Sequence, residues 1–297
     1  MIVYVVFVPS LVFSSLASTV TLKDIISWWF MPVNMGIVFS IGAVLGWVAV
    51  KAFRPREHLE GLVIACNWGT IPLMIIPAIC NEEDNPFGDA NTCNSLGLSY
   101  VSLSMATSSS GDLSTCLINY FRRTKDLLVK VLKELWSPPS AAALMGFTVG
   151  AIDKMKSLVI EEGSPLWVIQ DSAKLLGNAA IPCTVLILGG NLTKGIGRKL
   201  IKPLVVLSII VIRCIVLPAC GIGIVAAADK FGFLPRSPLY RYVLLLQSTV
   251  PPAMSIGTIA QLFDVGEEEC SIIFLWTHLV AALALTLWST VFMSLVL

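Results

Sequence analysis

The chain has 297 residues, 56% of them apolar and 13% charged, with a formal net charge of +1 and a mean hydropathy of +0.83. A soluble domain carries roughly twice that charge fraction, so the composition excludes a soluble enzyme and specifies an all-α polytopic membrane protein. A net charge this small also excludes a nucleic-acid binder, which needs a concentrated basic surface.

A membrane helix needs about 20 mainly apolar residues. On that measure the predicted spans are 1–20, 25–50, 59–80, 95–109, 139–153, 165–190, 200–228, 239–263 and 271–297, the fourth and fifth being short. The first starts at Met1 without a basic segment and contains Pro9, which fits a helix better than a cleaved signal peptide. Loop charge orients them. Lys51, Arg54 and Arg56, then Arg122, Arg123, Lys125, Lys130 and Lys133, then Lys194, Arg198, Lys199 and Lys202 all fall in loops on one side. The opposite loops hold Lys23, Lys154, Lys156, Lys230, Arg236 and Arg241. The richer side is expected in the cytosol, although the last loop on that side is acidic (Asp264, Glu267, Glu268, Glu269).

Two spans are built to break. The eighth carries Pro251 and Pro252 back to back, and the third is expected to be interrupted at Gly69, Pro72 and Pro77. A proline removes a backbone donor and clashes with the preceding turn. In hydrocarbon the freed groups are tolerated only inside protein or beside a polar cavity. A constant offset pairs Asn67 with Gln247, Pro72 with Pro252 and Met74 with Met254, while Pro9 pairs with Pro182 at a similar offset. Chance could align prolines and glycines in so apolar a chain; three matches in one order favour a repeat. Five spans separate each pair, so the two halves are inserted with opposite orientation. Paired breaks in inverted halves point to a transporter's midplane site. The expected fold is therefore two inverted five-helix repeats with two crossed broken helices. Nine spans are present of the expected ten, the absent one lying before Met1. The first repeat covers residues 1–110, a basic cytosolic loop 111–138, and the second repeat 139–297.

At such a crossing, half-helix N-termini offer N–H groups and positive dipole ends that suit an anion. The candidate substrate-binding residues are Asn67, Gly69, Thr70, Pro72, Asn178, Gln247, Pro251 and Pro252, with Ser248 and Thr249 adding hydroxyls. Trp68 and Met254 offer apolar contact, or pack between helices. Arg213 follows Lys202 by eleven residues, ~16 Å at helical rise, which puts it near mid-membrane, where an ionisable group needs a partner. Asp171 can form a structural ion pair with it; alternatively Arg213 contacts substrate, or Asp171 couples transport to a proton or cation. His278 is either packed on an apolar face or a proton relay. Cys80 and Cys93 flank one polar loop and can pair if it faces an oxidising lumen. No metal-ligand spacing, phosphate loop or nucleophile motif occurs, so neither enzyme activity, cofactor nor metal is expected. The expected partners are a small organic anion and the lipid bilayer, with no nucleic acid.

The sequence resembles the plant PIN-likes family, the auxin carrier group related to the PIN exporters. The resemblance rests on Phe30-Met31-Pro32-Val33-Asn34, Cys66-Asn67-Trp68-Gly69-Thr70-Ile71-Pro72-Leu73 and Gly97-Leu98-Ser99-Tyr100. It continues in Leu176-Gly177-Asn178-Ala179-Ala180-Ile181-Pro182-Cys183, Gly189-Gly190-Asn191-Leu192 and Gln247-Ser248-Thr249-Val250-Pro251-Pro252-Ala253-Met254. It implies ten helices in inverted repeats with the fourth and ninth crossed, a multi-pass endoplasmic reticulum location, and movement of indole-3-acetic acid between cytosol and lumen. It also implies a role in auxin homeostasis and signalling, with homo- or hetero-oligomers of related carriers. The chain departs from the family in lacking the first helix, in a fifth helix that stops near Met105, in a reduced central loop, and in Thr70 where asparagine is frequent. These departures leave a second expectation: a truncated, non-transporting isoform that regulates full-length carriers.

Overall fold

The computed structural model describes residues 2–53, 71–83, 85–104, 138–161, 163–194, 203–252 and 267–297. Every regular element among them is helical. A π-helical turn, Val3–Phe7, leads into α1 (Val8–Thr19). Helix α2 (Leu22–Ser27) is capped by Asp24, whose carboxylate accepts from the Thr21 N–H at 3.0 Å and its hydroxyl at 2.6 Å, and α3 spans Phe30–Phe53. Helix α4 (Pro72–Cys80) is followed by α5, residues 90–104. Then come α6 (Pro138–Ala151), α7 (Asp153–Ile160), α8 (Trp167–Asn178) and α9 (Ala180–Lys194). A long run follows: α10 (Pro203–Val211), a π-helical turn (Ile212–Val216) and α11 (Leu217–Lys230). Helices α12 (Pro238–Leu246) and α13 (Glu267–Val296) complete the described chain.

The irregularities fall where proline chemistry puts them. Proline i has no N–H for the carbonyl of residue i−4, and its ring crowds that carbonyl. Pro9 and Pro218 each sit four residues after the central residue of a π-helical turn, Val5 and Cys214. The Cys214 carbonyl that Pro218 cannot satisfy accepts the Trp288 indole N–H from α13 at 2.7 Å. Pro182 likewise lies four residues after Asn178, where α8 ends. The expected single span 165–190 is therefore two helices meeting at Ala179.

Pro77 differs from expectation. Helix α4 runs unbroken from Pro72 to Cys80 with Pro77 inside it. The carbonyl it crowds belongs to Leu73, second residue of the helix, so no preceding turn resists the adjustment. The Asn81 N–H still reaches the Pro77 carbonyl at 3.1 Å.

Among the described residues three helices are individually long and apolar enough to cross a membrane: Phe30–Ala49, Pro203–Lys230 and Ser271–Val296. Helix α1 packs along α6 and α8. This contact is close because glycine allows it. A Cβ on Gly150 would lie 2.9 Å from the Val20 carbonyl oxygen, and one on Gly177 2.8 Å from Leu11 Cα. The buried Gln170 side chain ties α8 to α1 through the Ser14 carbonyl at 3.0 Å.

Helices α3, α4, α5 and α12 contribute Met31, Ile76, Val101 and Leu244, all fully enclosed, to an apolar core that also takes in α1, α6 and α11. Where α5 meets α1 the seam is hydroxyl-lined. Ser99 donates to the Ser15 carbonyl at 3.1 Å and is hydrogen-bonded to the Thr19 hydroxyl. At the end of α4, Cys80 and Cys93 form a disulfide, with Cα atoms 5.6 Å apart. The loop it closes is ordered by Asn85, which donates to the Cys80 and Gly88 carbonyls at 3.1 Å each. Two Thr92 donors hold the exposed Asp89 carboxyl below the usual carboxylate range as it caps α5.

Candidate functional site

Helix α12 begins on a Ser237 cap with Pro238 at its first position, both favourable there. It ends at Leu246. Of the next three N–H groups, that of Gln247 is still bonded to Val243 at 3.1 Å, while those of Ser248 and Thr249 make tight-turn bonds to Leu245 and Leu246 at 3.1 Å each. Val250, Pro251 and Pro252 are non-helical. Pro251 and Pro252 have no N–H for the Gln247 and Ser248 carbonyls, so the break falls one turn before the pair. The whole stretch 247–252 is buried.

Two devices hold this buried break. The first is a chain of polar side chains. Asn34 of α3 donates through Nδ2 to Gln247 Oε1 at 2.6 Å and to the Leu244 carbonyl at 3.2 Å. Gln247 Nε2 donates to Ser104 Oγ of α5 at 2.7 Å, and Ser104 donates to the Tyr100 carbonyl at 2.9 Å. Further along the break is Arg213, 2% exposed and inside the π-helical turn, whose Nη1 donates to the Val250 carbonyl at 3.5 Å. Helix α11 comes close to the break at Gly221, where a Cβ would collide with the Ser248 side chain. Single π-helical turns recur at functional sites, and a buried guanidinium beside unwound backbone suits a negatively charged ligand.

The expected site residues divide as follows. Gln247, Pro251 and Pro252 come together at the break. Pro72 is buried and opens α4. Asn67, Gly69 and Thr70, with Trp68 and Met254, lie outside the described residues. Asn178 and Asp171 are both exposed on α8, whereas Arg213 is in the interior, and no ion pair joins Arg213 to Asp171 among the described residues. His278 is buried with Nδ1 2.9 Å from the Phe274 carbonyl of its own helix. Asn34, Ser104 and Tyr100 were not among the expected site residues. The available signal was Asn34 itself, an amide within an otherwise apolar span.

The family described as "Membrane transport protein" matches residues 1–130 and 122–289. The chain is 46% identical to Protein PIN-LIKES 7 of Arabidopsis thaliana, covering 99% of this chain and 88% of that protein. It is 44% identical to Protein PIN-LIKES 5 and 38% identical to Protein PIN-LIKES 3 of the same plant, again over 99% of this chain and 88% of each relative. The chain belongs to the PIN-LIKES family. As a PIN-LIKES protein it is a membrane transport protein.

Proposed function

We propose that the chain is a carrier moving auxin, indole-3-acetic acid, or a similar aromatic carboxylate across the endoplasmic reticulum membrane by alternating access. The observation that carries this reading is the wholly buried break at residues 247–252 with Arg213 on the Val250 carbonyl. Helix breaks at membrane depth serve substrate or ion sites in transporters. In the proposed architecture, residues 1–110 and 139–297 are inverted repeats joined by the basic loop 111–138, and nine spans include the two crossed helices. Asn67, Gly69, Thr70 and Pro72 of one crossed helix complete the site opposite Gln247, Pro251 and Pro252. Arg213 gives the site a buried positive charge for the carboxylate. The Cys80–Cys93 bond supports a loop that faces an oxidising lumen, and so supports an endoplasmic reticulum orientation with the basic loops in the cytosol.

The test is uptake of labelled indole-3-acetic acid into sealed vesicles bearing this chain alone. Uptake above empty vesicles, competed by unlabelled substrate, is the expected result. Uptake equal to empty vesicles, from correctly inserted protein, overturns the carrier reading and favours a chain that regulates full-length relatives.

A further inference from the structure

Two backbone carbonyls fix the direction of the Asn34–Gln247–Ser104 chain. The Asn34 atom 3.2 Å from the Leu244 carbonyl must be a donor, hence Nδ2. That Nδ2 also lies 2.6 Å from Gln247, which must therefore present Oε1 there and turn Nε2 to Ser104. Ser104 gives its own proton to the Tyr100 carbonyl. Asn34 Oδ1 is then the acceptor that remains. It is buried and has no hydrogen-bond partner among the described residues, in a side chain only 1% exposed.

A buried acceptor without a donor is costly and calls for an explanation. This one shares Gln247 with the break, three residues from the Val250 carbonyl that Arg213 touches. An oxygen acceptor repels a carboxylate and attracts an N–H. The break thus has a cation at Val250 and a bare acceptor on the Asn34 amide that meets Gln247, and indole-3-acetic acid carries a carboxylate for the one and a ring N–H for the other. Resting on the carrier reading above, we infer that Asn34 Oδ1 accepts the ring N–H of the substrate and selects aromatic carboxylates that carry such a donor. A site that hydrogen-bonds its ligand rejects the analogue lacking the group, because the protein atom is then left buried and unpaired.

The test compares two ligands on the full chain in lipid nanodiscs: indole-3-acetic acid and its near-isosteric sulfur analogue, 1-benzothiophene-3-acetic acid, which has no ring N–H. Each is measured by competition against labelled indole-3-acetic acid. The unaltered chain is expected to bind the indole about tenfold tighter or more. Asn34→Leu should erase the preference by bringing the indole down to the analogue's affinity. Gln247→Leu, which loosens the break but leaves Asn34 on the Leu244 carbonyl, should weaken both ligands and keep the preference. Equal affinities in the unaltered chain, or a preference that survives Asn34→Leu, overturn the inference while leaving the carrier reading intact. Binding of neither ligand by the unaltered chain overturns both. If Asn34→Leu does not fold, the comparison of ligands on the unaltered chain decides alone.

Discussion

Gln247 spends both ends of its amide on other helices, accepting from Asn34 and donating to Ser104. Replacing it with leucine takes one hydrogen bond from each of two buried partners, leaving Asn34 on the Leu244 carbonyl and Ser104 on the Tyr100 carbonyl. The expected cost is about 1–2 kcal/mol, read as a lower unfolding midpoint in detergent. Because Asn34 and Gln247 act as a pair, Asn34→Leu combined with Gln247→Leu should cost less than the two single changes summed. Strict additivity would show that the two amides are not coupled. None of this was legible in the sequence. Asn34 and Gln247 are separated by 213 residues, and no local pattern says which distant amide a buried asparagine will meet. Gln247 itself was legible, because it stands one turn before a proline pair.

At the scale of single helices, one rule accounts for four irregularities: the π-helical turns before Pro9 and Pro218, the junction before Pro182, and the break before Pro251. Each falls around the residue four positions earlier, whose carbonyl the proline leaves unpaired. Of these only the break before Pro251 was expected from the sequence; the spans carrying Pro9, Pro182 and Pro218 were expected to be single helices. What proline alone could not tell was the form of each relief. The same deficit gives a π-helical turn at Cys214, where Trp288 supplies the missing donor, and a helix end at Leu246, where two prolines adjoin. Pro77 shows the limit of the rule, since a carbonyl in the first turn of a helix can yield without a break. Replacing Pro251 and Pro252 together with leucine should let α12 continue as a helix. Membrane insertion is expected to survive and binding of indole-3-acetic acid to disappear; a variant that still binds with unchanged affinity would separate the break from the site. Trp288→Phe should strand the Cys214 carbonyl and destabilise the fold by about 1–2 kcal/mol, seen as a lower unfolding midpoint.

Across the whole molecule, two styles of packing coexist. Helices α1, α6 and α8 touch through backbone at Gly150 and Gly177, whereas the α3, α5 and α12 group is joined by side-chain hydrogen bonds. Gly150→Val should disrupt the first group through contact with the Val20 carbonyl, at a cost of about 1–3 kcal/mol, measured as reduced thermal stability with the ligand preference at Asn34 unchanged. The disulfide staples α4 to α5 over a separation of 13 residues. Its loss in Cys80→Ser should cost about 3 kcal/mol. Thiol labelling that reaches Cys80 and Cys93 only after reduction would check the bond directly. The all-helical class was legible from composition. The two packing groups were not, because which helices meet depends on where small residues face one another.

The π-helical turn at Ile212–Val216 has one more consequence. Such a turn holds one residue more than α-winding of the same kind, so everything after it is rotated by about 100° relative to an uninterrupted helix. Gly221 meets Ser248 at that phase. Deleting a single residue within the turn would restore regular winding and leave hydropathy and span length almost untouched. It would also swing Gly221 off the break and put a neighbouring side chain in its place. The orientation of one helical face, and with it the seat of the broken segment, depends on the presence of one supernumerary residue rather than on the identity of any of the five.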